Sequence, residues 1–140
     1  MGKNNKRLRK LKTKESNKFK MEVGNVVPDF NNLPPIFSLK YINYGGPCCI
    51  SGRDSNERSV MLEKMLMLSQ LAWKHIASQP KTGNGYEVIP QFRFNKPIPS
   101  IVTPEVKILV FRYSDAGRIA GFRINDVYHI IMVGDDLYSH

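Results

Sequence analysis

The closing stretch of the chain, RIAGFRINDVYHIIMVGDDLYSH (Arg118–His140), is rich in side chains that can do chemistry. It holds two arginines, two of the three histidines and two tyrosines. Cleavage of RNA without a metal needs a base for the ribose 2′-OH, a cation for the phosphate and an acid for the leaving oxygen. Histidine can transfer both protons near neutral pH, and arginine grips phosphate with a planar fork. The stretch therefore contains the residue types that this reaction uses.

These side chains lie on elements that alternate like antiparallel strands. The pattern predicts strands at 107–113, 118–124 and 127–133, joined by the turns SDAG and ND. The second turn is typical of a two-residue hairpin, because Asn and Asp tolerate a positive φ.

The two turns also set a register in which Tyr113 lies opposite Arg118 and Phe122 lies opposite His129. One face then carries Arg118 and His129, and the other carries two arginines and a tyrosine, namely Arg112, Arg123 and Tyr128. One face must meet the helix and the other is expected to be partly free. Alternation alone leaves open which face is free.

A single long helix is predicted upstream of the strands. Asp54 or Ser55 can cap it, Asp54 and Glu57 fit a capping box, and Pro80 ends it. An apolar stripe at helical spacing runs along it, through Met61, Met65, Leu68, Ala72 and Ile76, widened by Leu62, Leu66 and Trp73. A first strand is predicted at 36–44 and a short one within 86–94. The fold class is thus α+β, an antiparallel β-meander with one long amphipathic helix packed on one face.

The net charge of +9 is concentrated in one segment. Residues 1–20 carry nine Lys/Arg against the single acid Glu15, whereas residues 21–140 carry twelve Lys/Arg against eleven Asp/Glu. We expect a disordered basic arm at 1–20, an irregular connector at 21–35 and a single α+β domain at 36–140. The arm offers seven closely spaced basic residues to a nucleic acid, Lys3, Lys6, Arg7, Arg9, Lys10, Lys12 and Lys14.

Several classes of protein are not expected from this sequence. No apolar run approaches 18 residues and no secretory signal is visible, so neither a membrane span nor export is expected. Adjacent Cys48 and Cys49 cannot form an ordinary disulfide, which favours a reducing, cytoplasmic location. No CxxC or HExxH spacing occurs, and we expect neither a metal nor a cofactor.

Structural roles compete with chemical ones at each candidate. The arginines at strand ends could be ordinary solvated or ion-paired residues, and His129 could be a hydrogen-bonded histidine at the edge of the core. Tyr138 and His140 could belong to a frayed terminus. His75, near the C-terminal end of the predicted helix, suits the helix dipole and needs no active site.

The order of helix, glycine-containing loop, YEVIP and then FRYSDAGRIAGFRINDVYHIIMVGDDLYSH resembles the RelE/YafQ-type toxins of bacterial toxin–antitoxin systems. The resemblance covers about residues 55–140. It implies an mRNA endonuclease that leaves a 2′,3′-cyclic phosphate and is neutralised by a protein antitoxin. It further implies that Arg112, Arg118 or Arg123 holds the phosphate, that His129 or His140 handles protons, and that Tyr138 assists or stacks. The lead of 54 residues and the near-neutral body depart from the family pattern.

Three hypotheses remain open from the sequence. The first is a metal-independent RNase toxin steered to RNA or the ribosome by the basic arm. The second is a non-catalytic RNA- or ribosome-binding protein in which the arm is the active part. The third is an interaction module, of a phage or mobile element, that binds and inhibits a host factor.

Deletion of residues 1–20 separates the first two hypotheses. A sequence-blind electrostatic arm supplies affinity that falls steeply with salt. For an enzyme the deletion reduces RNA cleavage but leaves it measurable, whereas for a binding protein it abolishes RNA binding. Binding is measured by fluorescence anisotropy across a salt series and cleavage on gels, and RNA binding unchanged by the deletion would contradict both hypotheses.

Overall fold

The computed structural model describes residues 27–140, which form one mixed five-stranded sheet with two short α-helices. The expectations for the arm at 1–20 and for part of the connector lie outside the described residues. The strands are β1 (Ile36–Ser38), β2 (Tyr86–Ile89), β3 (Ile108–Arg112), β4 (Arg118–Ile124) and β5 (Val127–Gly134). The helices are α1 (Ser55–Leu68) and α2 (Trp73–Ser78), with single 3₁₀ turns at Phe30–Asn32, Ile50–Gly52 and Gln91–Arg93.

The sheet has the strand order β1-β5-β4-β3-β2. The run β2–β5 is an antiparallel meander, but β1 pairs parallel to β5 at the edge, so the prediction of a purely antiparallel sheet is wrong at this strand. The predicted first strand is also shorter than expected, since it ends at Ser38. The ND hairpin is confirmed, because Ile124 pairs with Val127 and Asn125 has a φ of +57°.

The prediction of a single long helix is wrong, because the helix is interrupted between Leu68 and Trp73. Asp54 caps α1 as expected, and its carboxylate accepts a hydrogen bond from the amide of Glu57 at 2.7 Å. The break contains neither proline nor glycine and follows from contacts made by Trp73. Its amide donates to the carbonyl of Leu33, and its indole N–H donates to the carbonyl of Asp126, each at 3.0 Å.

Both helices pack on one face of the sheet, here called the helix-side face. Its buried residues come from both helices and from β3, β4 and β5, and include Met61, Leu68, Trp73, Ile76, Phe111, Tyr113, Ile119, Tyr128 and Ile130. Leu62 and Leu66, expected to widen the buried stripe of α1, lie on its surface with 66% and 56% of their area exposed.

The opposite face, here called the loop-side face, is also buried. Proline-rich loop residues, the segment around Cys48 and the last residues of the chain cover it, and its core includes Ile89, Val102, Val110, Phe122, Ile131, Met132, Leu137 and Tyr138. The expectation of one partly free face is therefore wrong. Both faces of β3–β5 are apolar in the middle, and a separate layer of chain covers each of them.

The register differs from the prediction in two places. Arg112, not Tyr113, is the partner of Arg118, so Arg112 and Arg118 lie side by side on adjacent strands. A bulge in β5 follows from the pairing of Ala120 with Met132 and of Gly121 with Ile130. The extra residue, Ile131, reverses the alternation beyond it. The predicted pairing of Phe122 with His129 is confirmed.

The bulge lies beside a close contact between Tyr128 and Gly121. The buried Tyr128 hydroxyl donates toward the carbonyl oxygens of Leu109 at 2.7 Å and Ile119 at 3.2 Å. A Cβ at Gly121 would lie 2.8 Å from Cζ of this ring and would overlap the carbonyl oxygen of His129. Only glycine leaves room for the ring here. Neither helix in residues 27–140 is long and apolar enough to cross a membrane.

Gly121→Ala should lower the free energy of unfolding by about 3 kcal/mol, because the new methyl group overpacks a core that cannot yield. Gly52→Ala is the matched control, since the nearest atom to its new Cβ lies 3.9 Å away. Urea denaturation followed by circular dichroism measures both variants. Equal free energies of unfolding for the two variants would contradict the prediction, because they would show that the sheet shifts to accommodate a methyl group at residue 121.

Candidate active site

The candidate site lies at the end of the sheet where β5 ends and β4 begins. Arg118 and Gly134 are register partners, so the residues that follow β5 pass close to Arg118. Together with residues of the β3–β4 turn and β4, they line an open cavity of about 360 Å³. Its lining residues are Ala116, Arg118, Asp135, Asp136, Leu137, Tyr138 and His140. Three of the six candidate catalytic residues, Arg118, Tyr138 and His140, thus line one cleft.

The β3–β4 turn fixes the position of Arg118. Its Nη1 lies 3.0–3.1 Å from the carbonyl oxygens of Ser114, Asp115 and Gly117, all in this turn. Within residues 27–140, Nε and Nη2 of Arg118 have no hydrogen-bond partner. The guanidinium is therefore anchored at one nitrogen and retains donors for an anion in the cleft.

The last residues are held in place by the loop that covers the loop-side face. Phe94 and Tyr138 form an isolated antiparallel bridge. The amide of Ser139 donates to the carbonyl of Arg93 at 2.9 Å. The amide of Asn95 donates to the carbonyl of Leu137 at 2.8 Å. The segment LYSH at 137–140 therefore forms hydrogen bonds with residues 93–95 and does not pair with a strand of the main sheet.

The aromatic side chains at this end of the sheet form a short row of tilted and edge-on ring contacts. The rings of Phe94 and Tyr138 have centroids 5.5 Å apart, and His140 meets the edge of Tyr138 at 5.3 Å. Tyr138 is buried, and its hydroxyl has no hydrogen-bond partner in the described part of the chain. His140 is exposed. The imidazole can therefore reach a ligand in the cleft, whereas Tyr138 forms an aromatic wall.

Two carboxylates reduce the positive charge of the cleft. Asp135 is paired with Arg53, whose Nη1 lies 3.3 Å from its Oδ1. Arg53 also forms an ion pair with Glu57 at 3.5 Å. Asp136 is exposed and forms no ion pair among residues 27–140. The single positive charge of Arg53 is thus shared between Glu57 and Asp135 and offsets part of the negative charge next to Arg118.

Tyr113 belongs to the same polar cluster as Arg53, Glu57 and Asp135. Its hydroxyl donates to Oε1 of Glu57 at 3.1 Å. Burial, reinforced by the charge of Glu57, raises the pKa of Tyr113 to about 12, so the phenol remains protonated and a donor. No local pattern predicts the pairing of Arg53 with Asp135, because these two residues are 82 positions apart in the chain.

Arg112 lies beside the cleft but lines a different cavity. It shares that second cavity with Lys64, Asn84 and Ser114, on the far side of the β3–β4 turn from His140. Its Cα partner across the strands is Arg118. The two arginines are therefore neighbours that serve adjacent surfaces.

Arg123 is not brought to the cleft. It lies at the opposite end of β4, where its guanidinium carbon is 4.3 Å from the ring centroid of Trp73. Its Nε donates to the carbonyl of Asn125 at 2.6 Å, and its Nη2 donates to Oδ1 of Asn31 at 2.8 Å. These contacts join the hairpin to the chain before β1 and give Arg123 a structural role.

His129 is also remote from the cleft, on the loop-side face near β1. Its ring stacks on Phe122 with centroids 5.0 Å apart and packs against Tyr41 at 5.1 Å. Its Nδ1 is buried and has no hydrogen-bond partner among residues 27–140. Burial, with a smaller contribution from the charge of Lys40, lowers the pKa of His129.

The basic residues of the arm, from Lys3 to Lys14, lie outside the described residues. Within residues 27–140 no group of three His, Cys, Asp or Glu side chains is arranged to hold a metal ion.

Comparison with known proteins gives no match, since no family model, curated protein or solved structure matches the chain. The functional inference therefore depends on the cleft itself and on the resemblance found in the sequence.

The packing of His129 predicts a loss of stability in mild acid. The pKa in the folded chain lies below the value of about 6.5 in the unfolded chain, so the stabilisation is present above pH 6.5 and is lost as the pH falls below it. Denaturant unfolding between pH 7.5 and pH 5 should show a smaller decrease for His129→Gln than for wild type. The control is His75→Gln, at an exposed position on α2, and an unchanged acid dependence in His129→Gln would contradict the prediction.

Proposed function

We propose that the chain is a metal-independent endoribonuclease whose active site is the cleft lined by Arg118, Tyr138 and His140. The observation that carries the proposal is the convergence of these three side chains on one cavity of about 360 Å³. The resemblance to RelE/YafQ-type toxins supports the same reaction, with RNA or the ribosome as target and a protein antitoxin as partner. Helices α1 and α2 precede the antiparallel run β2–β5, and β1 adds a parallel strand at the edge of the sheet.

Each side chain has a definite role in the proposed reaction. Arg118 binds the scissile phosphate through Nε and Nη2, because its Nη1 is held by the turn. His140 transfers one proton, and the exposed Asp136 is the other titratable group of the cleft available for proton transfer. Tyr138 is buried, so its ring forms the aromatic wall of the cleft next to the base or ribose.

Arg53 makes the cleft more favourable for a phosphate. The pairing of Arg53 with Asp135 offsets a carboxylate that would otherwise repel the phosphodiester. The basic arm supplies the remaining attraction, because it carries most of the excess positive charge of the chain. In this proposal the arm binds RNA and the cleft catalyses its cleavage.

A non-catalytic RNA-binding protein is the second candidate. The near balance of charge over residues 21–140 and the two carboxylates in the cleft favour it, because both weaken the grip of the body on RNA. This candidate predicts binding through the arm and no dependence of any activity on His140.

The test uses the full chain with end-labelled single-stranded RNA in excess EDTA. Wild type should cleave it and leave 2′,3′-cyclic phosphate ends, and RNA methylated at every 2′ oxygen should remain intact, because the attacking hydroxyl is blocked. His140→Ala should lower the cleavage rate by about 10²-fold or more. Arg118→Lys should also lower it, because an ammonium cannot both replace the anchored nitrogen and grip phosphate.

Two controls make this test decisive. His75→Ala removes an exposed histidine from α2, away from the cleft, and should cleave at the wild-type rate. Thermal unfolding shows whether the Arg118 variant retains the fold, whereas His140 is exposed and its removal leaves the core intact. Wild-type rates in both His140→Ala and folded Arg118→Lys would overturn the proposal, and binding without cleavage by wild type would establish the second candidate.

A further inference from the structure

A second cavity of about 360 Å³ lies between α1, the loop before β2 and the β3–β4 turn. Its polar lining residues are Lys64, Thr82, Asn84, Arg112, Ser114 and Asp115. Two cations therefore face one carboxylate in a surface cavity that the proposed reaction does not use.

Lys64 is half-buried and has no carboxylate within ion-pair distance among residues 27–140. Its ammonium donates instead to the carbonyl of Gly83 at 2.5 Å and to Oδ1 of Asn84 at 3.1 Å. Burial without a countercharge is costly for an ammonium and lowers the pKa of Lys64. An anion in the cavity would supply the missing countercharge.

Arg112 is the second unneutralised cation. It is half-buried, and none of its nitrogens has a hydrogen-bond or ion-pair partner in the described part of the chain. Its register partner is Arg118, and directly paired strand residues have Cα atoms about 4.5–5.5 Å apart. Like charges at such positions repel each other, and bound anions would relieve the repulsion.

We propose that the Lys64–Arg112 cavity binds a phosphate group, and, given the proposed function, that this is the phosphate next to the scissile one in RNA. Arg118 lines the first cleft and Arg112 lines the second, with the β3–β4 turn between them. A single strand crossing this turn presents successive phosphates to the two arginines. Lys64 adds a point charge and Arg112 adds a planar fork, and both suit a phosphodiester.

The test compares two RNA ligands that cannot be cleaved because their 2′ oxygens are methylated. A dinucleotide has one internal phosphate and a trinucleotide has two, with no terminal phosphates on either. Lys64→Met and Arg112→Gln should each weaken binding of the trinucleotide by about tenfold, as expected for loss of a charged hydrogen bond. Both should leave binding of the dinucleotide unchanged, because its single phosphate occupies the Arg118 cleft.

Controls separate the second site from general electrostatics and from folding. Lys74→Met removes an exposed lysine of α2 and should leave both ligands unaffected. Lys64→Arg keeps the charge and should retain trinucleotide binding. Inorganic phosphate at millimolar concentration should not displace the trinucleotide, because a free ion lacks the tether to the first cleft; displacement would show a site for free phosphate instead and overturn the RNA subsite.

The two proposals fail in different ways. Equal trinucleotide affinities of Lys64→Met and Lys74→Met would overturn the second site, even if cleavage depends on His140. Loss of trinucleotide affinity in Lys64→Met together with no cleavage by wild type would retain the phosphate site and overturn the nuclease. In the cleavage assay Lys64→Met should raise KM with little change in kcat, whereas His140→Ala should lower kcat.

Discussion

The close approach of Tyr128 to Gly121 is the constraint on which the rest of the structure depends. The ring of Tyr128 packs on Phe37, Phe111 and Trp73, and its hydroxyl reaches carbonyls of both β3 and β4. This one side chain therefore fixes the edge strand, the helices and two strands against one another. The ring can occupy this position only because residue 121 has no side chain.

The bulge beside this contact adds an apolar residue to the loop-side face of the sheet. Ile131 is the extra residue, so Ile131 and Met132 both join the loop-side core and Val133 returns to the helix side. A face with this much apolar area needs a cover, which the proline-rich loop and Tyr138 supply. The candidate cleft is a consequence of that cover, because the contacts of residues 93–95 hold the last residues beside Arg118.

The sequence predicted the secondary-structure elements better than the contacts and the register between them. Strands β3–β5, the cap at Asp54 and the ND hairpin follow from local signals that act within a few residues. The break between α1 and α2 could not be predicted, because it depends on bonds from Trp73 to Leu33 and Asp126. The register of Arg112 and Arg118 was missed by one residue, and such a slip reverses the face of every side chain on a strand. Of the six candidate residues, Arg118, Tyr138 and His140 share a cleft, and Arg112 lies next to it.

The charge pattern at this end of the sheet connects the two proposals. Arg53 offsets Asp135 behind the first cleft, whereas Lys64 and Arg112 have no such partner in the second within residues 27–140. The ion pair of Arg53 with Asp135 needs no ligand, whereas Lys64 has only neutral oxygens of Gly83 and Asn84 as hydrogen-bond partners, and an anion would add the countercharge that they do not provide. The two proposals therefore assign transient contact with the reacting phosphate to the first cleft and binding of the neighbouring phosphate to the second. In the two proposals, a body of nearly balanced charge contacts RNA at a few positions, and the arm provides the long-range attraction.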